Sequence, residues 1–321
     1  MPRSTPPSSS PITKPEIRVD YVHDRQVIIS PNRRKRPKET IETPVASGSQ
    51  SDVFSLENQS SVRGLLTIGP KNKWRTKVIK NLFPAVDPSF PKAYGYHEVV
   101  IETPEPGIDL ADLPVNHIGD ILHAYSERVK QLQRDKKIRY ILVFKNAGGD
   151  AGASINHAHS QIFATAYIPP HIITRRERAQ EYRMMHGRDY YSDLILQEEN
   201  GPRWIAGGKY VCALTPYASM YNYEAWIMPW RRVDNVSGLH KDERDEMALF
   251  MKKILTQVNA LGLPYNYYLH QVVGDEQEHL YLRIAPRRDV WAGVELGSRL
   301  VVNTVPPEEA AELYRNAFKK R

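Results

Sequence analysis

GASINHAHSQIF, residues 152–163, is the stretch from which the rest of the chain is read. A β-strand turns alternate residues to one face, so the pattern predicts that His157, His159 and Gln161 all point into one pocket. Upstream, RYILVF (139–144) reads as a buried strand. The loop KNAGGDAGAS that follows, with Gly152 near its end, is small enough for backbone N–H groups to approach an anion closely. Asn146 and Ser154 add neutral donors. Histidine is a competent nucleophile near neutral pH because part of it is already unprotonated, and it displaces a good leaving group from phosphorus without a separate base. Such a site requires the second ring N–H to be tied to a carbonyl, which fixes the tautomer. An H-x-H pair on its own also fits two metal ligands, or two polar residues on an exposed strand face.

Four separated stretches add weight in order along the chain: VIISPNRRKRP (27–37), WRTKVIKNLFPAV (74–86), HEVVIETP (97–104) and the run from Lys145 to Gln161. With these, the chain from about Ile17 to its C-terminus resembles the galactose-1-phosphate uridylyltransferase family of the histidine-triad superfamily. That family includes adenylyl-transferring sugar-nucleotide phosphorylases. The family's H-P-H-x-Q motif stands here as His157, Ala158, His159, Ser160, Gln161, with only the proline changed. The resemblance implies that His159 becomes nucleotidylated, that His157 supports it, and that Gln161 orients the intermediate. Gln161 replaces the third histidine of the hydrolytic members, and an amide holds a phosphoryl oxygen without offering a readily lost proton, which favours transfer over hydrolysis. Arg33, Arg36, Asn81, Asn146 and Ser154 fall on family positions that contact the nucleotide or its phosphates. Gly293 and Glu295, in RRDVWAGVELGSRLVVNTVPPEEAA (287–311), fall in register with the acceptor-binding region. A lysine and a glutamine that grip hexose phosphate in the uridylyl enzymes stand here as roughly Asp289 and a residue near Val302.

The implied activity is ping-pong nucleotidyl transfer from a nucleoside diphosphate sugar to a sugar 1-phosphate, with hexose-1-phosphate uridylyl transfer as the first expectation. An adenylyl-transferring ADP-sugar or dinucleoside-polyphosphate phosphorylase, and a catalytically decayed nucleotide-binding protein, are the alternatives. The resemblance also implies a homodimer whose subunits share active-site residues. Many relatives hold a structural zinc with a C-x-x-C pair, an intervening histidine and the first histidine of H-x-H. Here GSQSDVFSL (48–56) and Pro106 replace all but His157, so no metal and no organic cofactor are expected.

Composition is compatible. At 321 residues, 41% hydrophobic, the chain can bury a large core. No apolar run approaches a membrane span and no signal-peptide pattern opens the chain. The lone Cys212 excludes an internal disulfide, fits a reducing compartment, and sits in the apolar run YVCAL as a packing residue; a cytoplasmic protein is expected. The net charge of +7 is concentrated: residues 1–38 hold nine Lys or Arg against three acids. Aromatic residues do not interleave with that cluster, so neither nucleic acid nor membrane is an expected partner, and RRKRPK reads as a phosphate-binding turn.

The expected fold class is α+β: two histidine-triad-like halves, antiparallel sheets with packed helices. Ile118, Ile121, Leu122, Tyr125, Val129 and Leu132 lie at the same helical offsets as Met247, Phe250, Met251, Ile254, Val258 and Leu261. HEVVIETP precedes the first helix as YEAWIMP precedes the second, pairing Glu98 with Glu224, and Tyr281 stands where a second nucleophile would be. The expected units are a disordered Pro/Ser leader at 1–16, dispensable for function; a catalytic half at 17–165; a linker or insertion at 166–208, entered through the proline pair of IPPHI; and a degenerate half at 209–321. His270 and His279 in that half are expected to be buried and hydrogen-bonded rather than metal ligands. PPEEAAELYRNAFKK should close the chain as a helix.

Overall fold

The computed structural model describes residues 14–35, 52–59, 61–70, 73–153, 155, 157–275 and 278–319. Arg36, Ser154 and nearly all of the expected leader lie outside these residues. The strands are β1 (Glu16–Asp20), β2 (Arg25–Ile29), β3 (Leu66–Ile68), β4 (Thr76–Lys80), β5 (Gly95–Ile101), β6 (Tyr140–Ala147), β7 (His159–Thr165), β8 (Trp204–Gly207), β9 (Val211–Leu214), β10 (Ala225–Pro229), β11 (Tyr265–His270), β12 (Tyr281–Pro286) and β13 (Val301–Asn303). The helices are α1 (Leu56–Gln59), α2 (Val115–Leu132), α3 (Pro170–His186), α4 (Tyr190–Glu198), α5 (Lys241–Ala260), α6 (Gly293–Ser298) and α7 (Pro307–Lys319). None of the described helices is long and apolar enough to cross a membrane.

Ten strands form one sheet in the order β3-β4-β5-β7-β6-β11-β12-β10-β9-β8, all of its pairs antiparallel. The order reads as the same five-strand unit from either edge, so the α+β expectation of two repeated halves holds, fused into a single sheet. Phe144 faces Gln161 in the first half as Tyr268 faces Arg283 in the second, and Phe144 and Tyr268 face each other where the halves meet. The pseudo-two-fold axis therefore passes between those two residues. The pairing also corrects the sequence alignment by one residue. Val99 opposes Gln161 and Trp226 opposes Arg283, which makes His97, not Glu98, the counterpart of Glu224.

One face of the sheet carries α2 and α5, and the main core lies between them, continuous across both halves. The repeated helical offsets mark that face: Ile118, Ile121, Leu122, Tyr125 and Val129 are buried, as are Met247, Phe250, Met251, Ile254 and Val258. Leu261 departs from the pattern at 39% exposed, because α5 ends at Ala260 and the next residue is only its cap.

Residues 166–208, expected as a linker or insertion, fold into α3, α4 and β8. The prolines start a helix instead of breaking one: Pro170 is the first residue of α3, where the missing N–H costs nothing. β8 sits at the sheet edge as the counterpart of β3, so the second half begins before residue 209. A separate sheet joins the chain's two ends, with β2 antiparallel to β1 and parallel to β13. Buried Arg18 of β1 and Arg34 of the turn after β2 bind Glu308 and Glu309 at the start of α7.

Candidate active site

β7 lies between β5 and β6 at the centre of the first half. Its alternation sends Ser160 and Ile162 toward α2, where Tyr125 Oη lies 2.5 Å from Ser160 Oγ, and turns His159 and Gln161 to the opposite face. β7 begins only at His159, so His157 sits in the turn before it, its ring 5.9 Å from the Phe54 ring that also lies against His159. Its carbonyl also reaches the site: His159 Nδ1 donates to His157 O at 2.7 Å. A carbonyl only accepts, so Nδ1 carries the ring proton and Nε2 is left with its lone pair. Burial holds the imidazole pKa below its usual value, which keeps the ring neutral. The Phe54 ring, 5.3 Å away, covers part of it.

The His157 ring is bound at both nitrogens, Nδ1 to Asp52 Oδ2 at 2.8 Å and Nε2 to Thr103 O at 2.6 Å. Both partners are acceptors, and the pair ties the segment bearing Phe54 and α1 to the strand. One carboxylate and one carbonyl around an imidazole already committed at both nitrogens do not fit a tetrahedral zinc, and among the described residues no three His, Cys, Asp or Glu converge on a metal position.

Beneath β7, on the helix side, lies a polar network that sequence patterning did not reveal. Lys145 Nζ donates to Glu102 Oε2 at 2.5 Å and to His159 O at 3.3 Å. Tyr267 Oη donates to Glu102 Oε1 at 3.1 Å, and His117 Nε2 to Glu102 O at 2.8 Å. Lys145 and Glu102 are 2% and 0% exposed, so this is a fully buried ion pair holding the backbone of His159. Its only trace in the sequence is a charge in each of two apolar strand patterns, at KNAGG and IETP.

The loop before β7 is shaped by Gly148 (φ +87°) and Gly152 (φ +83°). A Cβ on Gly148 would lie 2.8 Å from Pro264 Cβ. Asn146 holds its Oδ1 toward Asn266 Nδ2 (2.8 Å), and the same amide donates to Ala151 O (2.8 Å), so a residue of the second half braces this loop. Asn81 stands at the rim, its N–H donating to His97 O at 2.9 Å, and His97 in turn contacts Gln161. His157, His159, Gln161, Asn146, Gly152 and Asn81 are thus gathered in one region. Arg33, exposed on the turn after β2, and Gly293 and Glu295 of α6 are not brought there by any contact within the described residues; Glu295 Oε2 instead accepts the Ala292 N–H at 3.0 Å.

The same face of the second half is filled. Tyr281, the counterpart of His159, is fully buried, with its hydroxyl 2.7 Å from His23 Nε2 and its ring stacked between Trp226 and His270. His23 Nδ1 is held by Asp20 at 2.8 Å. Arg175 of α3 donates to His270 Nδ1 at 2.7 Å, and His279 Nε2 donates to Pro229 O at 3.0 Å. Both histidines are hydrogen-bonded, as their surroundings in the sequence suggested. Arg283, the counterpart of Gln161, donates to Glu224 at 2.8 Å. Cys212 is buried among Trp204, Trp226 and Met228. Among the described residues, the first half presents a bare, neutral imidazole on the same strand face as an amide two residues on.

Comparison with known proteins agrees with this geometry. The family described as galactose-1-phosphate uridyl transferase, N-terminal domain, matches residues 70–169. ADP-glucose phosphorylase of Arabidopsis thaliana is 31% identical over 94% of this chain and 92% of its own length. The crystal structure of that plant's ADP-glucose phosphorylase with bound ADP-glucose superposes with a TM-score of 0.84 over 94% of this chain and 99% of the other, at 30% identity. The galactose-1-phosphate uridylyltransferase of Thermotoga maritima is 27% identical over 94% of this chain and 98% of the relative. With its repeated half-sheets, its single histidine–glutamine strand and this breadth of similarity, the chain belongs to the galactose-1-phosphate uridylyltransferase family.

Proposed function

We propose that this protein is a nucleotidyltransferase that works through a covalent nucleotidyl-histidine at His159. The observation that carries the proposal is the 2.7 Å bond from His159 Nδ1 to the His157 carbonyl, which leaves Nε2 as the nucleophile. Nε2 attacks the α-phosphorus of a nucleoside diphosphate sugar, a P–N bond forms, and the P–O bond to the sugar 1-phosphate breaks. An oxygen of the acceptor phosphate then attacks the same phosphorus and releases the imidazole. Gln161 and Asn146 supply amide donors to the phosphoryl oxygens. The chemistry asks nothing of a metal, and the surroundings of His157 favour none.

Two observations favour an adenylyl donor, ADP-glucose, over the uridylyl donor that the resemblance first suggests. The similarity to the ADP-glucose phosphorylase exceeds that to the Thermotoga uridylyltransferase. Asp289, where the resemblance expects a cation for hexose phosphate, is instead a carboxylate held by Asn222 Nδ2 at 2.6 Å and Thr304 Oγ1 at 3.1 Å. Inorganic phosphate is the acceptor that best suits such a site. Arg33, Gly293 and Glu295 would then reach the pocket from a second subunit of a homodimer. The lone buried cysteine suits a reducing, cytoplasmic setting.

The test is intact-mass analysis after exposure to ADP-glucose or UDP-glucose in separate reactions. An AMP adduct that His159→Ala cannot form is the expected result. A UMP adduct would reassign the donor, and an undiminished adduct in the variant would remove His159 from the mechanism.

A further inference from the structure

A glutamine beside a phosphoryl group can help or hinder, because its amide is nearly the same shape with either end forward while only the amino end donates to an anion. What fixes the end that Gln161 presents is a residue on the neighbouring strand. We infer that His97 is a positioning residue that locks the Gln161 side chain with its amino end toward the transferred phosphoryl group; this rests on the nucleotidyl-transfer function proposed above.

His97 lies near the start of β5, its backbone opposite Phe163 and its ring against that residue at 5.5 Å. Gln161 and Phe163 occupy one face of β7, so the imidazole stands alongside the amide. The Ala85 backbone N–H lies 3.2 Å from His97 Nδ1. A peptide N–H is only ever a donor, so Nδ1 accepts and is bare, and the ring proton sits on Nε2. His97 Nε2 is 2.7 Å from Gln161 Oε1. A ring N–H donates, which requires the oxygen of Gln161 to face it. The two N–H groups of the amide are left for the other side, the side of the strand on which His159 stands.

The opposite tautomer has one point in its favour and one against. Asn81, whose Oδ1 accepts the Phe83 N–H at 2.8 Å, holds its Nδ2 3.4 Å from His97 Nε2 and would suit a bare nitrogen there. That distance is at the limit of a hydrogen bond, and adopting it would set the His97 Nδ1–H directly against the Ala85 N–H. The shorter, unambiguous donor decides. The second half shows that these two strand positions are a matched pair with polarity to choose: there Glu224 accepts from Arg283, with the donor on the outer strand's neighbour instead of on the outer strand. His97 with Gln161 is the reverse arrangement, and it is the one that leaves donors free.

The test measures single-turnover adduct formation from ADP-glucose for the wild type, His97→Ala, Gln161→Ala and the double variant. His97→Ala should slow adduct formation about 10- to 100-fold, the usual scale for a residue acting through the one that touches the ligand, with little change in the half-saturating donor concentration. The double variant should be no slower than Gln161→Ala, because His97 has nothing left to orient. A His97→Ala rate equal to the wild type, or a double variant slowed by both factors in full, overturns the inference. Ring ¹⁵N shifts of His97 read the same geometry without activity: Nε2 protonated and Nδ1 bare is expected, and the other tautomer overturns it. A wild type that forms no adduct with ADP-glucose or UDP-glucose defeats the proposed function instead, and the ¹⁵N measurement then decides the orientation alone.

Discussion

At the scale of single residues, one hydrogen bond and burial leave His159 neutral with Nε2 bare, the state that the proposed attack on phosphorus needs, and both act on its proton. Burial disfavours the imidazolium, so the folded-state pKa lies below the usual value of about 6.5. The neutral ring, and with it the rate of adduct formation, should hold through neutral pH and be lost only as pH falls through that depressed value. Rapid-quench measurement of adduct formation against pH checks this; a midpoint above the ordinary imidazole value would contradict it. The same shift works on stability. The unfolded chain takes up the proton first on acidification, so the contribution is complete above the unfolded pKa and disappears as pH falls through the folded one. His159 and Gln161 were legible because period-two spacing and residue chemistry sit within a few positions of each other. Asp52, which holds His157 from 105 residues away, and His97, whose role depends on a backbone N–H twelve residues earlier, were not. Which acceptor meets which donor across that span is settled by strand pairing and turn geometry, and neither leaves a local pattern.

At the scale of elements, β7 is held from both sides: by its neighbours through the ladder, and from beneath by the buried pair of Lys145 on β6 and Glu102 just past β5. Removing one member of such a pair strands a charge in a medium that solvates it poorly. Lys145→Met should therefore destabilise the protein by about 3–5 kcal/mol, while Lys145→Met combined with Glu102→Leu should recover much of that loss. Urea midpoints of the two variants check the ordering, and a double variant less stable than the single would refute it. The long helices α2 and α5 were readable because packing on a sheet imposes a 3.6-residue apolar stripe on twenty or fewer residues. α3 and α4 were not, since their exposed faces are charged and their proline start has the look of a break. The one-residue slip between Glu98 and Glu224 has a similar origin. Both strands carry a glutamate before an apolar run, but Glu98 faces Arg128 of α2 and Glu224 faces Arg283 on the other side of the sheet. Identity of type outweighed identity of face in the sequence alignment.

At the scale of the whole molecule, duplication has produced two equivalent faces put to different uses. The first keeps an imidazole and an amide; in the second, His23, Arg175, Tyr281 and His270 occupy the space that a substrate would need. That half now braces the other, most directly where Asn266 holds the loop at Asn146. Among the described residues, no contact brings Arg33 to the His159 side to serve the substrate phosphates, since it is exposed on the turn after β2. If a second subunit provides it, each site is built from two chains, and damage to different subunits can be segregated. Arg33→Ala should cost on the order of 10- to 100-fold in activity by deleting a charge-assisted phosphate contact. His159→Ala should be inactive. When the two variants are unfolded together and refolded as a mixture, random pairing gives half mixed dimers, each with one site combining an intact His159 and an intact Arg33, so about a quarter of wild-type activity should return. Mixing the folded variants without exchange should return none. Recovery that is absent after refolding, with both variants confirmed as dimers by light scattering, would mean that Arg33 reaches the phosphates from its own chain or does not reach them at all.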